Sequence, residues 1–199
     1  MSSEDLLRSA KAGDAAALGQ LLEAYRQYLR LLARVQIGQR LQGKADASDI
    51  VQETFLDAHR HFANFQGDGE PQFLAWLRAI LAGSLANLVR RYLGTQGRDI
   101  RLEHDLAQQL DNSSRHLDPA LAAAISSPSQ QAVRREQGVL LADALALLPE
   151  DYREVIILRH MEGCTFPEVA RRMDRSVDSV EKLWLRALTK LKQTVGDDA

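Results

Sequence analysis

The chain has 199 residues, 45% of them hydrophobic and 26% charged, and its 25 Lys and Arg against 27 Asp and Glu give a net charge of −2. This balance excludes a polycation that coats nucleic acid with its whole surface, but it leaves room for a local basic surface. The single cysteine, Cys164, excludes an intramolecular disulfide framework and fits a reducing compartment.

The opening segment and the composition of the chain predict a cytoplasmic helical protein. The opening segment, MSSEDLLRSAKAGD, has acids where a signal peptide needs a basic segment followed by an apolar one. No stretch approaches the roughly 20 apolar residues of a membrane span, so we expect no membrane insertion. Twelve Gly and five Pro against abundant Ala and Leu favour an all-α fold.

Apolar residues in the N-terminal half recur at helical spacing. We predict four helices there: a short one with Ser3 as its N-cap and Gly13 as its stop, one over residues 14–40, one over about 48–65, and one that follows the 66–71 loop and ends at Gly94. The C-terminal part is predicted to form four more, over about 131–147, 150–161, 167–173 and 177–194.

Between these two parts, from about Gly97 to Gln131, the chain changes character. It contains Asn112-Ser-Ser114 and Ser126-Ser-Pro-Ser129, few large apolar residues and no aromatic ones. We therefore predict a flexible linker that joins two small helical domains, residues 1–96 and 132–199, and that supplies little core to either.

The segment from Thr165 to Leu185 has the proportions of a helix-turn-helix. Thr165-Phe-Pro-Glu168 matches a capping box, and a tight turn at Asp174-Arg175 leads into a longer helix. The turn and outer face carry side chains suited to phosphates and base edges: Arg175, Ser176, Asp178, Ser179, Glu181, Lys182 and Arg186. A helical hairpin with a solvated charged face has the same spacing, so both interpretations stay open.

Two surfaces of the N-terminal half are also candidates. Asp49, Glu53 and Asp57 recur every four residues and form an acidic stripe, with Gln52 beside it. A partner bearing Arg or Lys would be attracted to this stripe, although from charge alone an ordinary solvated face explains it better. The segment Asn87–Tyr92 interleaves an amide, two cations and an aromatic ring, which suits single-stranded DNA.

Catalysis and metal binding are not predicted. His59 and His61 are two residues apart on a helix and point to different sides, which disfavours a shared metal. The sequence contains neither a nucleophile motif nor a Gly-rich phosphate loop. We therefore expect no enzyme activity and no cofactor.

Taken together, these segments resemble the extracytoplasmic-function sigma factors of bacterial RNA polymerase, and the resemblance covers both halves. It rests on Gly13-Asp14 with Leu18, Leu21 and Tyr25, on Asp46 to Phe55, on Phe65-Gln-Gly-Asp-Gly69 with Phe73 to Leu77, on Leu148 to Val155 with Arg159 and Glu162-Gly163, and on Thr165 to Ala170. It implies an N-terminal sigma region 2 bundle and a C-terminal sigma region 4 helix-turn-helix.

The resemblance also implies roles for the candidate surfaces. Core polymerase would bind Asp49, Gln52 and Glu53, while Arg90 and Arg91 would engage the melted minus-ten strand. The helix-turn-helix residues Arg175, Ser176, Asp178, Ser179, Lys182 and Arg186 would read the minus-thirty-five element. Family members are commonly silenced by an anti-sigma factor, which makes such a protein a further expected partner beside core polymerase and promoter DNA.

The sequence departs from the family pattern at two positions. Gly83 stands where many members carry an Asn that holds a flipped promoter base, so that role is expected to pass to Ser84 or Asn87. Asp174 replaces the usual Gly of the turn, and Asp tolerates the left-handed region at modest cost.

Two other classes of protein remain as alternatives. A stand-alone helix-turn-helix regulator would need a sensor domain in residues 1–96, with a ligand pocket or phospho-acceptor that the sequence does not show. A purely structural adaptor would leave the charged face between Arg175 and Arg186 without a purpose. Binding of core polymerase by the purified chain distinguishes all three.

Overall fold

The protein is described here by a computed structural model, which covers residues 2–41, 45–93, 100–117 and 134–197. The regular secondary structure of these residues is helical, with no strand among them, and this confirms the all-α prediction. The chain divides into two compact units, Met1–Asn112 and Ser113–Ala199, and each has its own apolar core.

The first unit is a bundle of helices around buried leucines and aromatic rings. Its helices are α1 (Ser3–Lys11), α2 (Ala15–Ala24), α3 (Arg26–Leu41), α4 (Ala47–His61) with a 3₁₀ turn at Phe62–Asn64, α5 (Glu70–Leu93) and α6 (Ile100–Leu117), whose last residues pass into the second unit. The largest fully buried side chains are Leu21, Leu22, Tyr25, Leu29, Leu32, Phe73, Leu77, Leu81, Leu85, Leu106 and Leu110.

The start of the bundle differs from prediction in two details. Ser2, not Ser3, caps α1, because its hydroxyl accepts from the Asp5 amide at 3.2 Å and its own amide donates to the Asp5 carboxylate at 3.2 Å. The helix predicted over 14–40 is broken at Tyr25, where φ is −102°. The buried Tyr25 hydroxyl donates to Glu70 at 2.7 Å, so contact with α5 overrides the local helical period.

Part of the predicted linker is an ordered helix. Leu106 and Leu110 of α6 are both 0% exposed, and Arg78 of α5 donates to Asp111 at 2.7 Å. Two leucines four residues apart form an apolar stripe that packs on the bundle, although large apolar residues are few in this segment. The expectation of a flexible linker that supplies little core is therefore wrong for α6. Gly94 and residues 118–131 lie outside the described residues.

Helix α5 is the central helix of the first unit. By length and composition alone, Glu70–Tyr92 could cross a membrane, with a mean hydropathy of 1.3, which corrects the expectation that no stretch approaches this limit. In the bundle, Phe73, Leu77 and Leu81 recur every four residues and are 0% exposed. The hydropathy of α5 is that of a core helix packed on α3 and α4.

The second unit contains α7 (Arg134–Leu147), α8 (Glu150–Ile156) with a π turn at Ile157–Met161, α9 (Phe166–Arg172) and α10 (Val177–Asp197). These elements lie close to their predicted bounds. Arg153 donates to the carbonyls of Leu145, Ala146 and Leu148 at 2.8–3.0 Å. These bonds satisfy backbone acceptors that the end of α7 leaves without a helical partner. Helix α10 packs on α8 and α9, with Val180, Ala187 and Leu191 at 0% exposure.

Candidate functional site

Helices α9 and α10 form the predicted helix-turn-helix. The Thr165 amide donates to the Glu168 carboxylate at 2.7 Å, as the capping box requires, and this bond holds the pKa of Glu168 below its ordinary value. In the turn, Asp174 has a φ of 51°. This confirms the prediction that Asp174 adopts the left-handed conformation, which favours Gly. The Arg175 amide donates to the Ala170 carbonyl at 2.9 Å and closes the turn.

The inner face of α10 fixes the helix to its unit. The Trp184 indole N–H donates to His160 Nε2 at 2.9 Å, and the two rings stack with centroids 6.0 Å apart. Phe166 meets the Trp184 ring edge to face at 5.5 Å. Burial lowers the pKa of His160, which keeps Nε2 free to accept that bond. The outer face is thereby held in one orientation.

The outer face presents the residues that the sequence predicts for DNA. Arg175, Ser176, Asp178, Lys182 and Arg186 are exposed, and Ser179 is half-buried. Ser176 caps α10, because its hydroxyl accepts from the Ser179 amide at 3.2 Å. This pair therefore sets where α10 begins, next to the turn that carries Arg175.

The cations of this face are balanced by nearby acids. Arg175 pairs with Asp151 of α8 at 2.5 Å, and Lys182 pairs with Asp178 at 2.8 Å. Arg186 makes no ion pair within the part of the chain that the structure describes. Exposed pairs of this kind contribute about 0–1 kcal/mol, so a phosphate group can displace the carboxylates.

In the first unit, the acidic stripe lies on an accessible face of α4. Asp49 and Gln52 are exposed, and Glu53 is half-buried. Leu56, which the sequence reasoning missed, is 50% exposed on the same face, three residues after Glu53 and seven after Asp49. The signal for it was an apolar residue at a position whose helical neighbours are all polar.

The end of α5 is tied to α6 and α4. Arg90 donates to Glu103 of α6 at 3.3 Å and also to the Asn87 amide oxygen, and only 16% of its side chain is exposed. Arg91 is 64% exposed and pairs with Glu53 at 2.8 Å. The residues predicted for polymerase and those predicted for the minus-ten strand are thus brought together.

Ser84 does not belong to this surface. Its side chain is 1% exposed, and its hydroxyl donates to the Ile80 carbonyl at 3.3 Å and lies 3.3 Å from the Thr54 hydroxyl of α4. The structure therefore does not support Ser84 as a DNA contact, because it lies between two packed helices. A Cβ added at Gly83 would meet nothing within 4 Å, so that position has room for a larger residue.

The chain forms two helical units, and the second ends in a helix-turn-helix with a charged outer face. This places the protein in the helix-turn-helix class. Residues 24–95 match the family described as Sigma-70 region 2, and residues 139–191 match Sigma-70, region 4. The chain belongs to the sigma-70 family, in its extracytoplasmic-function group, and is an RNA polymerase sigma factor. This membership disfavours the stand-alone regulator.

Two relatives that match almost the whole of this chain support this placement. The chain is 27% identical to the ECF RNA polymerase sigma-E factor of Haemophilus influenzae, over 98% of this chain and 96% of that one. It is 31% identical to the ECF RNA polymerase sigma factor BldN of Streptomyces coelicolor, over 98% of this chain and 66% of that one.

Two solved structures are also similar in sequence. CnrH, in complex with the cytosolic domain of CnrY, is 26% identical over 99% of both chains, with a TM-score of 0.35. BldN, in a complex with RsbN, is 26% identical over 94% of this chain and 97% of that one, with a TM-score of 0.31.

Proposed function

We propose that the α4 face of Asp49, Gln52, Glu53 and Leu56 binds core polymerase, while the end of α5 holds the melted minus-ten strand. The observation that carries this division is the Glu53–Arg91 pair at 2.8 Å, which makes the acidic face and the cationic helix end neighbours. A sigma factor needs such proximity, because the strand it captures must lie beside the polymerase that will transcribe it. An acidic face with an exposed leucine suits a basic partner with an apolar patch.

For the minus-ten strand, we infer contacts from Asn87, Arg90 and Arg91. Arg91 is the most exposed cation there, whereas Arg90 is held by Glu103 and orients the Asn87 amide. Capturing a base costs a few kcal/mol of unstacking, and contacts to phosphate and to the base must offset that cost. We give Ser84 no direct part in this capture.

We propose that α10 enters the major groove of the minus-thirty-five element with its outer face. The six proposed contact residues lie in the turn and on α10: Arg175, Ser176, Asp178, Ser179, Lys182 and Arg186. In a helix-turn-helix, the first turns of the second helix reach the base edges and the flanking cations bind phosphate. The inner-face contacts of Trp184 support this role, because they resist rotation of α10 about its axis.

We further propose that the protein acts in the cytoplasm, by binding alone and without a chemical step of its own. An anti-sigma factor that covers the α4 face is the proposed regulator, since a protein seated on Asp49 and Glu53 would exclude polymerase. Binding of the two partners would then be mutually exclusive, which competition between labelled polymerase and a co-purified inhibitor tests directly.

The experiment that tests the polymerase face is a charge reversal. In Asp49→Lys/Glu53→Lys, we expect the affinity for core polymerase to fall at least tenfold, because two attractive contacts become repulsive. Glu4→Lys/Asp105→Lys is the matched control, since both residues are exposed acids on other helices of the first unit. Equal affinity of the two double variants, with helical content unchanged, would contradict the proposal.

A further inference from the structure

The outer face of α10 carries two side chains that indicate which bases this protein selects. Leu185 is 57% exposed, and Glu181 is exposed. They lie four residues apart and therefore on one stripe of the helix, together with Asp178 and Lys182. The opposite stripe, with Val180 and Ala187, is fully buried. This inference rests on the proposed placement of α10 in the major groove.

An exposed leucine is unremarkable at most surface positions. Leu185, however, lies on the face that would enter the groove, between Lys182 and Arg186. It can neither donate nor accept a hydrogen bond. The apolar group that base pairs present in the major groove is the 5-methyl of thymine. A side chain of this kind, at this place, therefore favours thymine over the other bases.

Glu181 favours a different base from Leu185. A carboxylate only accepts hydrogen bonds, and it is repelled by phosphate. Asp178 already accepts from Lys182 at 2.8 Å, whereas Glu181 has no ion pair among the residues of α7 to α10 that the structure covers. The exocyclic amine of cytosine is the base donor that a glutamate usually takes in the major groove.

We propose that Glu181 and Leu185 are specificity-determining residues for the minus-thirty-five element, Glu181 selecting a cytosine and Leu185 a thymine. Four residues of helix span about 6 Å, and successive base pairs are about 3.4 Å apart. The two selected bases are therefore about two base pairs apart when α10 follows the groove.

The test uses holoenzyme assembled from the full chain and core polymerase. Its preferred minus-thirty-five sequences are selected from a library randomised there, for the wild type, Leu185→Ala and Glu181→Gln. Lys190→Ala is the control, because Lys190 is exposed on α10 but lies off the stripe. We expect Leu185→Ala to lose the preference for thymine at one position. We expect Glu181→Gln to shift the preference at another position from cytosine to adenine, which glutamine reads through N6 and N7.

A second readout isolates the methyl group. Deoxyuridine in place of the selected thymine removes only that methyl, and we expect wild-type affinity to fall about fourfold, as for one buried methyl group. Leu185→Ala should not distinguish the two bases.

Two outcomes would overturn the inference in distinguishable ways. If wild-type holoenzyme selects a minus-thirty-five sequence and both variants select the same one, the assignment of Glu181 and Leu185 is wrong and the proposed function stands. If the wild type selects no sequence there, the placement of α10 in the groove is itself wrong.

Discussion

Arg91 Nη2 lies 2.8 Å from Glu53 Oε1, which joins the last turn of α5 to the middle of α4. Glu53 belongs to the face proposed for polymerase, and Arg91 to the set proposed for the minus-ten strand. In the free chain each charge therefore neutralises the other. A polymerase cation that takes the Glu53 carboxylate would leave Arg91 free for a phosphate group, so this pair links loading on polymerase to DNA contact.

The strength of this link can be measured by a double-mutant cycle with Glu53→Gln and Arg91→Gln. Because 64% of the Arg91 side chain is exposed, we expect an interaction energy of about 0.2–1 kcal/mol in urea unfolding at low salt. The value should shrink at high salt, because exposed charges are screened. An interaction energy of zero at low salt would mean that the pair does not form in solution.

Helix α6 should be required for the stability of the first unit. Leu106→Ala and Leu110→Ala each remove a fully buried side chain, and we expect each to lower the free energy of unfolding by about 2–5 kcal/mol. Asp105→Ala, at an exposed position on the same helix, is the control. If the leucine variants unfold at the same urea concentration as the control, α6 does not pack on the bundle in solution.

The second unit should lose stability as the pH falls below neutrality. Burial lowers the pKa of His160 from its ordinary value of 6.5, so the unfolded chain takes up a proton more readily than the folded one. The contribution of His160 to stability is therefore present above about pH 6.5, the unfolded-state pKa, and is lost as the pH falls from that value through the lower pKa of the folded state.

Trp184 fluorescence reports this loss directly. We expect the urea midpoint of a Trp76→Phe chain to decrease between about pH 7 and pH 5, near the histidine pKa. In His160→Phe on the same background, the carboxylates still titrate but the histidine contribution is absent. An identical pH dependence in the two chains would rule out His160 as its source.

Two glycines should respond in opposite directions to the same substitution. Gly83 lies inside α5 with nothing within 4 Å of an added Cβ, so Gly83→Ala should stabilise the protein by about 0.5–1 kcal/mol. An added Cβ at Gly67 would lie 2.4 Å from Phe65 Cζ and 2.5 Å from Gln72 Cβ, so Gly67→Ala should destabilise it. Thermal melts of both variants check the signs, and equal shifts would contradict the packing described around Phe65.

The sequence predicted the structure most accurately where local signals and tertiary packing agree. The capping box at Thr165 and the left-handed Asp174 could be predicted because each depends on its own neighbours. The break at Tyr25 could not, since it depends on Glu70, 45 residues away. Composition also misjudged α6, because two leucines at helical spacing are enough to hold a helix against a bundle.

The candidate site shows the same division between local and distant signals. Helical periodicity placed Asp49, Gln52 and Glu53 on one face, and the structure agrees. Periodicity in fact places Ser84 on the buried face of α5, three residues after Leu81 and four before Leu88, and Thr54 of the neighbouring helix α4 covers it there. The pairing of Arg91 with Glu53 also joins residues far apart in the sequence, and only the packing of α4 on α5 brings them together.

The most direct measurement of the central claim is transcription by core polymerase with and without the purified chain. The templates are promoters selected from random DNA by the assembled holoenzyme. We predict transcripts that start at one position, that require the chain, and that are lost with Asp49→Lys/Glu53→Lys but kept with Glu4→Lys/Asp105→Lys. A chain that binds duplex DNA as a dimer, and leaves transcription by core polymerase unchanged on every selected template, would contradict the account.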